Sequence, residues 1–336
     1  MIVVSWNGKA HLEGCFAAIA AQQQVNAETI LVDNGSDDGS AQFVADRFPW
    51  VRIASLAENQ GFAGGNNAGA REARGRYLAF LNNDTIAEPG CLRALRNAID
   101  VPSRDVMATA RIVYMHDPSI IDSAGDGLTR AGGAFKRLHG QPASLAEESR
   151  EVFGACGAAF MMLRAVFEEL GGFDEDFFAS HEDVDLSYRA RLRGYSCRYV
   201  AGAVVRHRGS ATLGRVSPFA VFQSQRNLEW VYVKNTPAWL LVRTLPDHLF
   251  YNLAAAAHFT RLGLLGTFLR AKVSALAGMG QIRRKRAAVQ RSRTARAADI
   301  WRVLEPRWLA LKLREERFDT SIADGTSQIA DSLKEG

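Results

Sequence analysis

Four short clusters in this chain hold residues able to bind a cation, a phosphate or a proton. The sharpest is Leu81-Asn82-Asn83-Asp84-Thr85, which follows the apolar run Tyr77–Leu81. A carboxylate at a strand end is an oxygen ligand for a hard cation, and Mg²⁺ commonly takes one or two carboxylates plus substrate phosphates. Read alone, the same residues fit an Asx turn or a helix N-cap before Pro89 better still. The second cluster is His181-Glu182-Asp183-Val184-Asp185-Leu186, opening a helix after Gly171-Gly172 and the aromatics Phe173, Phe177 and Phe178. Its three carboxylates repel one another, which costs stability unless the helix dipole or a cation offsets it. On a helix Glu182, Asp185 and Arg189 share one face, while Asp183 points elsewhere. A capped, salt-bridged helix start and a general base for a hydroxyl proton both describe it. Third is His207-Arg208-Gly209-Ser210, after a strand ending at Val205. A lone histidine is usually a satisfied surface residue, but at a strand end near two carboxylate clusters it suits a metal or a phosphate. The fourth, Gly61-Phe62-Ala63-Gly64-Gly65-Asn66-Asn67-Ala68-Gly69, matches neither G-x-G-x-x-G nor a P-loop. As flexible backbone before a helix it can still face a pyrophosphate.

The elements that must position these clusters follow from the spacing of apolar residues. Strands are predicted at Ile2–Val4, Thr29–Val32, Val51–Leu56 and Tyr77–Leu81, with helices at Lys9–Gln24, Asp38–Phe48 and Asn66–Arg74 between them. Glu58–Gly65 reads as a glycine-broken loop. Such alternation argues for right-handed βαβ units and a mainly parallel sheet covered on both faces. Ligands of these sheets bind beyond the carboxyl ends of the strands. Asn7, Asp33-Asn34, Asn59 and Asn82-Asn83-Asp84 all fall at such ends. Further on, strands are expected at Val106–Val113, Val152–Met162 and Ser196–Val205, with helices at Arg164–Leu170 and His181–Arg193. Residues 114–150, rich in Gly, Ser and Asp, read as a long excursion.

Composition sets the outer bounds. The 336 residues are 47% apolar and 23% charged, an ordinary globular balance that leaves room for a core domain and an appendage. Cys15, Cys91, Cys156 and Cys197 lie far apart with no C-x-x-C pair, so neither disulfides nor a zinc site is expected. The start MIVVSWNGKAHLEG has no basic leader, which points to the cytosol. Net charge is +5, yet Arg270–Arg296 carries nine Lys/Arg and no acid, leaving −4 for the rest of the chain. That segment suits an anionic partner, phospholipid headgroups or nucleic acid, whereas the core is mildly acidic and does not look like a nucleic-acid binder, so no nucleic-acid partner is expected. Residues 238–280 are apolar but interrupted by charges, so no stretch reaches the ~18–20 residues of a membrane span. Apolar helices followed by Arg283-Arg284-Lys285-Arg286 fit an element lying on the inner face of the cell membrane. A helical appendage packed on the core, or a homodimer contact, fits them too.

In chain order, Ser5-Trp6-Asn7-Gly8, Val32-Asp33-Asn34-Gly35-Ser36-Asp37-Asp38-Gly39, Glu58-Asn59-Gln60-Gly61-Phe62-Ala63-Gly64-Gly65-Asn66 and Leu81-Asn82-Asn83-Asp84-Thr85 resemble the donor half of family 2 glycosyltransferases, most closely the bacterial rhamnosyltransferase branch. Gly154-Ala155-Cys156-Gly157, Gly171-Gly172-Phe173-Asp174-Glu175 and Glu182-Asp183-Val184-Asp185-Leu186 resemble its acceptor half. The resemblance covers roughly residues 1–235. It implies an α/β GT-A fold: a Rossmann-like, mainly parallel sheet flanked by helices. Residues 1–105 would form the nucleotide-sugar half and 106–235 the acceptor half, followed by a basic helical extension over 236–318 and a flexible tail over 319–336. It also implies a divalent cation, Mg²⁺ or Mn²⁺, and inversion at the anomeric carbon.

Carried onto this chain, the resemblance puts Asn7 and Asp33 against the nucleoside of a nucleotide-sugar donor. Ser5, Asn34, Asn59, Gly64, Asn66, Asn82 and Asn83 would line the same pocket. Asp84 would hold the cation on the diphosphate, with Asn82 in place of the motif's first acid and His207 completing the metal sphere. Asp183 would be the catalytic base, with Glu182 and Asp185 shaping its surroundings. The chain would start part-way along the first strand. Rhamnose from dTDP-rhamnose is the favoured sugar, ahead of galactofuranose or an N-acetylhexosamine, and a lipid-linked or cell-surface glycan precursor is the favoured acceptor. The rivals are a non-catalytic nucleotide-sugar-binding scaffold, which needs no base, and a nucleotidyltransferase, which needs a basic glycine-rich loop that Trp6-Asn7-Gly8 does not supply.

Overall fold

The computed structural model describes residues 1–22, 26–99, 104–209, 217–315 and 318. Ser210, the end of the helix expected to reach Gln24, and the expected tail over 319–336 lie outside the described residues. The first half alternates as its apolar spacing requires: β1 (Ile2–Ser5), α1 (Lys9–Ala20), β2 (Ile30–Asp33), α2 (Ser40–Arg47), β3 (Arg52–Ser55), α3 (Gly61–Glu72) and β4 (Tyr77–Asn82). A short β5 (Thr85–Ala87) and α4 (Cys91–Ala98) follow, then β6 (Asp105–Tyr114), β7 (Ile121–Ser123), β8 (Asp126–Leu128), β9 (Ala134–Lys136), β10 (Arg150–Val152) and β11 (Ala159–Leu163). After α5 (Arg164–Glu169) and α6 (Glu182–Leu192), the long β12 (Ser196–His207) completes the sheet.

Ten strands form one sheet, with β3, β2, β1, β4, β11, β6, β12 and β10 side by side, β5 pairing β12 and β7 pairing β6. From β3 to β4 the pairing is parallel, as expected. Beyond β4 the sheet is mixed, because β11 runs antiparallel to both β4 and β6. Three local expectations are corrected. The stretch 114–150 contains β7, β8 and β9, and all three residues of β7 and of β8 are buried. Val152–Met162 is two strands, since residues 153–158 leave the sheet between β10 and β11. The third concerns Glu58–Gly65, expected as a loop: Gly61–Gly65 already form the first part of α3, ahead of the helix expected from Asn66. Its glycines let the helix lie directly on β1: a Cβ at Gly65 would stand 2.7 Å from Val4 Cγ1.

Five helices close the chain: α7 (Pro218–Asn235), α8 (Ala238–Arg261), α9 (Leu265–Ala277), α10 (Met279–Ser292) and α11 (Ala297–Val303). Ser217 caps α7, its hydroxyl accepting from the Ala220 amide at 3.1 Å, and Pro218 fills the first turn where no N–H is needed. These helices are bolted to α6. Lys234 Nζ and Asn235 Nδ2 of α7 both donate to Asp185, at 2.9 and 2.8 Å. Lys285 of α10 pairs with Asp174 and Asp176. The basic run is thus divided: Lys285 and Arg286 turn inward, Arg286 onto the carbonyls of Val233 and Thr236, while Arg283 and Arg284 stay exposed. No described helix is long and apolar enough to cross a membrane. All four cysteines are buried and free.

The contact between α3 and β1 is testable at Gly69, where an added Cβ would lie 2.5 Å from Ile2 Cγ2 and 2.9 Å from Val32 Cγ2. Alanine gains about 1 kcal/mol in helix propensity. Overpacking costs about 1–3 kcal/mol and more where the neighbours are themselves locked, as these strand residues are. Gly69→Ala is expected to lower stability by about 1 kcal/mol, read as an earlier urea midpoint at unchanged slope.

Candidate active site

β1 lies between β2 and β4, so the chain leaves it in two directions and a crevice opens at the carboxyl ends. Register brings the expected residues to this edge: Ser5 stands beside Asp33, and Val4 beside Asn82. Asn83 Nδ2 donates to Ser5 Oγ at 3.0 Å. Asn7, at φ 50°, donates its backbone N–H to Ser36 Oγ at 3.0 Å, and its side-chain oxygen accepts from the Asp37 amide at 2.9 Å. Asp33 accepts from the Ser36 amide at 3.2 Å. The loops after β1 and β2 are therefore one hydrogen-bonded rim.

Other residues from the same clusters build the rim from behind. Asn34 is buried, donating to Asn59 Oδ1 and the Gly61 carbonyl, each at 3.0 Å, and accepting from the Gln60 amide at 2.9 Å. Asn59 accepts from the Gly61 amide at 2.8 Å. Asn66 is buried with its amide on the Phe62 carbonyl at 2.9 Å, and Gly64 lies in α3 against the Gln60 side chain. These four hold the start of α3 against the crevice. The neighbour Asn67, which sequence reasoning did not single out, ties α3 to the Gly171-Gly172-Phe173 turn by accepting from the Phe173 amide and donating to its carbonyl, both at 2.9 Å.

Asp84 follows β4, and the antiparallel pairing of β5 with β12 sets Thr85 opposite His207. His207 Nε2 consequently stands 3.3 Å from Asp84 Oδ1. Its Nδ1 lies 2.7 Å from Asp122 Oδ2, and Asp122 accepts from Lys136 Nζ at 2.7 Å. Burial opposes a charge on the ring, but the bonds to Asp122 and Asp84 outweigh it and raise the imidazole to about 9. Burial likewise opposes ionisation of Asp84, and the bond to His207 more than compensates, holding it below the usual carboxylate range. Once the ring gives up its Nε2 proton, one carboxylate and one imidazole held through Nδ1 by Asp122 make a donor set that fits a cation such as Mn²⁺, so binding there would release a proton. Among the described residues no group of three or more His, Cys, Asp or Glu is placed to hold a metal. Any ion there needs oxygens from its ligand.

The second centre is the start of α6. Asp183 Oδ2 accepts from the Gly157 amide at 2.8 Å and Oδ1 from its neighbour Val184 at 2.7 Å. Burial raises Asp183 above the ordinary value despite these bonds. It also hydrogen-bonds Asp126 of β8, which burial and then the Asp183 charge push well above the carboxylate range, so Asp126 holds the proton of the pair. Glu182 is buried, its Oε2 has no hydrogen-bond partner among the described residues, and burial followed by Asp183 raises it well above normal. Ahead of α6, Phe178, Ser180 and His181 all have positive φ, a strained run. Asn227 of α7 over-determines it by donating to the carbonyls of Phe177, Ala179 and Ser180 at 2.7–2.9 Å.

Asp185 belongs elsewhere. It faces α7, pairing with Arg189 at 2.8 Å and with Lys234 and Asn235. Burial works against its ionisation, but Arg189 and Lys234 prevail and set it at about 2. The residues that the sequence did not disclose are Asp122 and Asp126. Four positions apart in Asp122-Ser123-Ala124-Gly125-Asp126, one holds His207 and the other Asp183. Their only sequence signal was the Asp- and Gly-rich character of a segment read as an excursion.

Two variants test this division. Asp185→Asn removes the partner of a buried cation, which typically costs about 3–5 kcal/mol, and the lower end is expected because Lys234 keeps Asp174. Global stability in denaturant melts should fall accordingly. For Asp126, a carboxyl raised in the folded state stabilises below the ordinary carboxylate value, and that contribution is lost as pH climbs through the folded value. Asparagine does not titrate, so Asp126→Asn should lose stability less steeply than the parent as pH rises. Parallel stability–pH curves would remove Asp126 as the proton holder.

The chain can now be set beside known proteins. A family model described as glycosyl transferase family 2 matches residues 1–171. An N-acetylglucosaminyl-diphospho-decaprenol L-rhamnosyltransferase of Mycobacterium tuberculosis is 29% identical over 240 residues, which is 64% of this chain and 77% of that protein. The O-antigen biosynthesis protein RfbC of Myxococcus xanthus is 28% identical over 58% of this chain and 16% of its own length. Among solved structures, mannosyltransferase PcManGT from Pyrobaculum calidifontis, in complex with GDP-Man and Mn²⁺, shares the fold at TM-score 0.53 and 16% identity, over 96% of this chain and 84% of that one. S. aureus TarS 1–349 with UDP-GlcNAc does so at TM-score 0.52 and 17% identity, over 87% and 90%. With half of its length matched by the family model, on a sheet whose open end carries a polar crevice, the chain belongs to glycosyl transferase family 2 and is a glycosyltransferase.

Proposed function

We propose that this enzyme moves rhamnose from dTDP-rhamnose to a hydroxyl of a lipid-linked glycan precursor, with a divalent cation and inversion at the anomeric carbon. The observation that carries the reading is the clamp at Asp122–Asp126, which ties the Asp84–His207 pair and the Asp183 carboxylate to one five-residue stretch. A donor site and a base held by the same segment suit transfer and exceed what a nucleotide-sugar-binding scaffold requires. The choice of sugar and acceptor is supported by the name of the mycobacterial relative and by the resemblance of the strand-end motifs.

In this reading Asn7 and Asp33 meet the nucleoside, while Ser5, Asn82 and Asn83 form the floor under the diphosphate. Asn34, Asn59, Gly64 and Asn66 keep that floor in shape. Asp84 and His207 would hold Mg²⁺ or Mn²⁺, which when bound neutralises charge developing on the departing nucleoside diphosphate. Asp183 takes the proton of the acceptor hydroxyl as its oxygen attacks the face opposite the leaving group. Its raised affinity for protons brings it nearer the working pH, where a base is most effective, and such catalysis typically contributes about 10²–10⁴-fold. Neutral Asp126 aligns Asp183 and keeps a second negative charge out of the pocket. Glu182, also held neutral, adds no further charge beside it.

Release of free nucleoside diphosphate on mixing donor and acceptor, run as a panel of dTDP-, UDP- and GDP-sugars with Mn²⁺, tests the activity and the sugar together. Asp183→Asn is expected to lower turnover by at least about 100-fold with donor affinity nearly unchanged. Equal loss of donor binding would refute its role as base. Asp84→Ala should instead abolish the metal-dependent part of donor binding in calorimetric titration. If Mn²⁺ strengthens donor binding to that variant as much as to the parent, Asp84 is not the ligand.

A further inference from the structure

α8 and α9 each press one face onto α7 and leave an apolar face uncovered. On α8 the buried side carries Thr244, 2.9 Å from the Tyr232 hydroxyl, and His248, stacked on the Tyr232 ring at 3.8 Å. On α9 it carries Phe268 and Ala271, with Phe268 stacked on Phe259 at 5.8 Å. Away from α7, Trp239, Val242, Leu249 and Leu253 of α8 are exposed at 58–77%. Val273 and Leu276 of α9 are exposed at 65% and 70%. Their spacing by multiples of three and four makes one apolar stripe on each helix. Apolar stripes left open on a protein surface mark a place of contact.

The charges carried by α8, α9 and α10 point to the occupant. Arg261, Arg270, Arg283 and Arg284 are exposed and form no ion pair with any described residue. α10 contains no acid, and Asp247 is the one acid of α8 and α9. We propose that this face docks on an anionic phospholipid bilayer, with the α8 and α9 stripes in the headgroup boundary and the arginines against lipid phosphates. Apolar insertion and attraction to anionic lipid add, each arginine near the surface contributing about fivefold in affinity. A second copy of this chain fits poorly, because a symmetric contact through the stripes would set the same cationic rim against itself. The inward turn of Lys285 and Arg286 is part of the device: it fixes α10 to the catalytic domain and leaves Arg283 and Arg284 for the lipid. The proposal stands apart from the choice of sugar and acceptor, so its failure would leave the transferase reading untouched.

Sedimentation with phosphatidylglycerol vesicles and with phosphatidylcholine vesicles tests it on the full chain. The parent is expected to pellet with phosphatidylglycerol far more than with phosphatidylcholine, and less as salt is raised. Val242→Glu with Val273→Glu, and separately Arg283→Glu with Arg284→Glu, should each weaken binding to phosphatidylglycerol about tenfold or more at unchanged melting temperature. Should one pair fold poorly, the other decides alone. A parent that stays in the supernatant overturns the proposal, as does binding that survives the substitutions. A dimer in sedimentation velocity that Val242→Glu disrupts would assign the face to a second copy instead.

Discussion

Burying carboxylates at the open end of a sheet is costly, and the whole site is organised around that cost. Asp84, Asp122, Asp126, Glu182 and Asp183 lie at the two centres and Asp185 faces α7 behind them, and all but Asp183 are accommodated in three ways. Cations stabilise Asp122 and Asp185, through Lys136 and through Arg189 with Lys234. A shared histidine stabilises Asp84. Protonation neutralises Asp126 and Glu182, whose surroundings raise them far above their usual range. Asp183 alone is left half-buried with backbone amides and a neutral neighbour, the surroundings that the proposed role as base needs.

The same accommodation fixes the architecture. The cation under Asp185 comes from α7, and the lysine reaching Asp174 and Asp176 comes from α10. α6 therefore cannot keep Asp185 ionised without α7, and the C-terminal helices act as a brace for the sheet domain. Asn227 adds a geometric reason: the strained turn ahead of α6 is held by an amide that belongs to α7.

The site's legibility in sequence differs from residue to residue. Gly61–Gly65 reads as a loop because glycine is a poor helix former, yet the smallness of Gly65 and Gly69 is what lets α3 rest on Val4 and Ile2. Asn34 and Asn59 stand at strand ends as a ligand-binding residue would, but their amides go to neighbouring backbone, and no local pattern distinguishes the two uses. Glu182, Asp183 and Asp185 are nearly adjacent in sequence, and helical geometry sends them to three different environments.

The sequence by itself determined the alternation of strands and helices through residue 82, the gathering of polar residues at strand ends, and the membership of the chain in its family. Those features are encoded by apolar periodicity and short motifs, which act over a few residues. Only the tertiary structure decided that His207 meets Asp122, 85 positions away, that Asp126 carries the proton for Asp183, and that the basic run splits between core and surface. Such pairings depend on register between distant strands and on which side of a helix meets the core. They are properties of the assembled sheet, and no stretch of chain contains them.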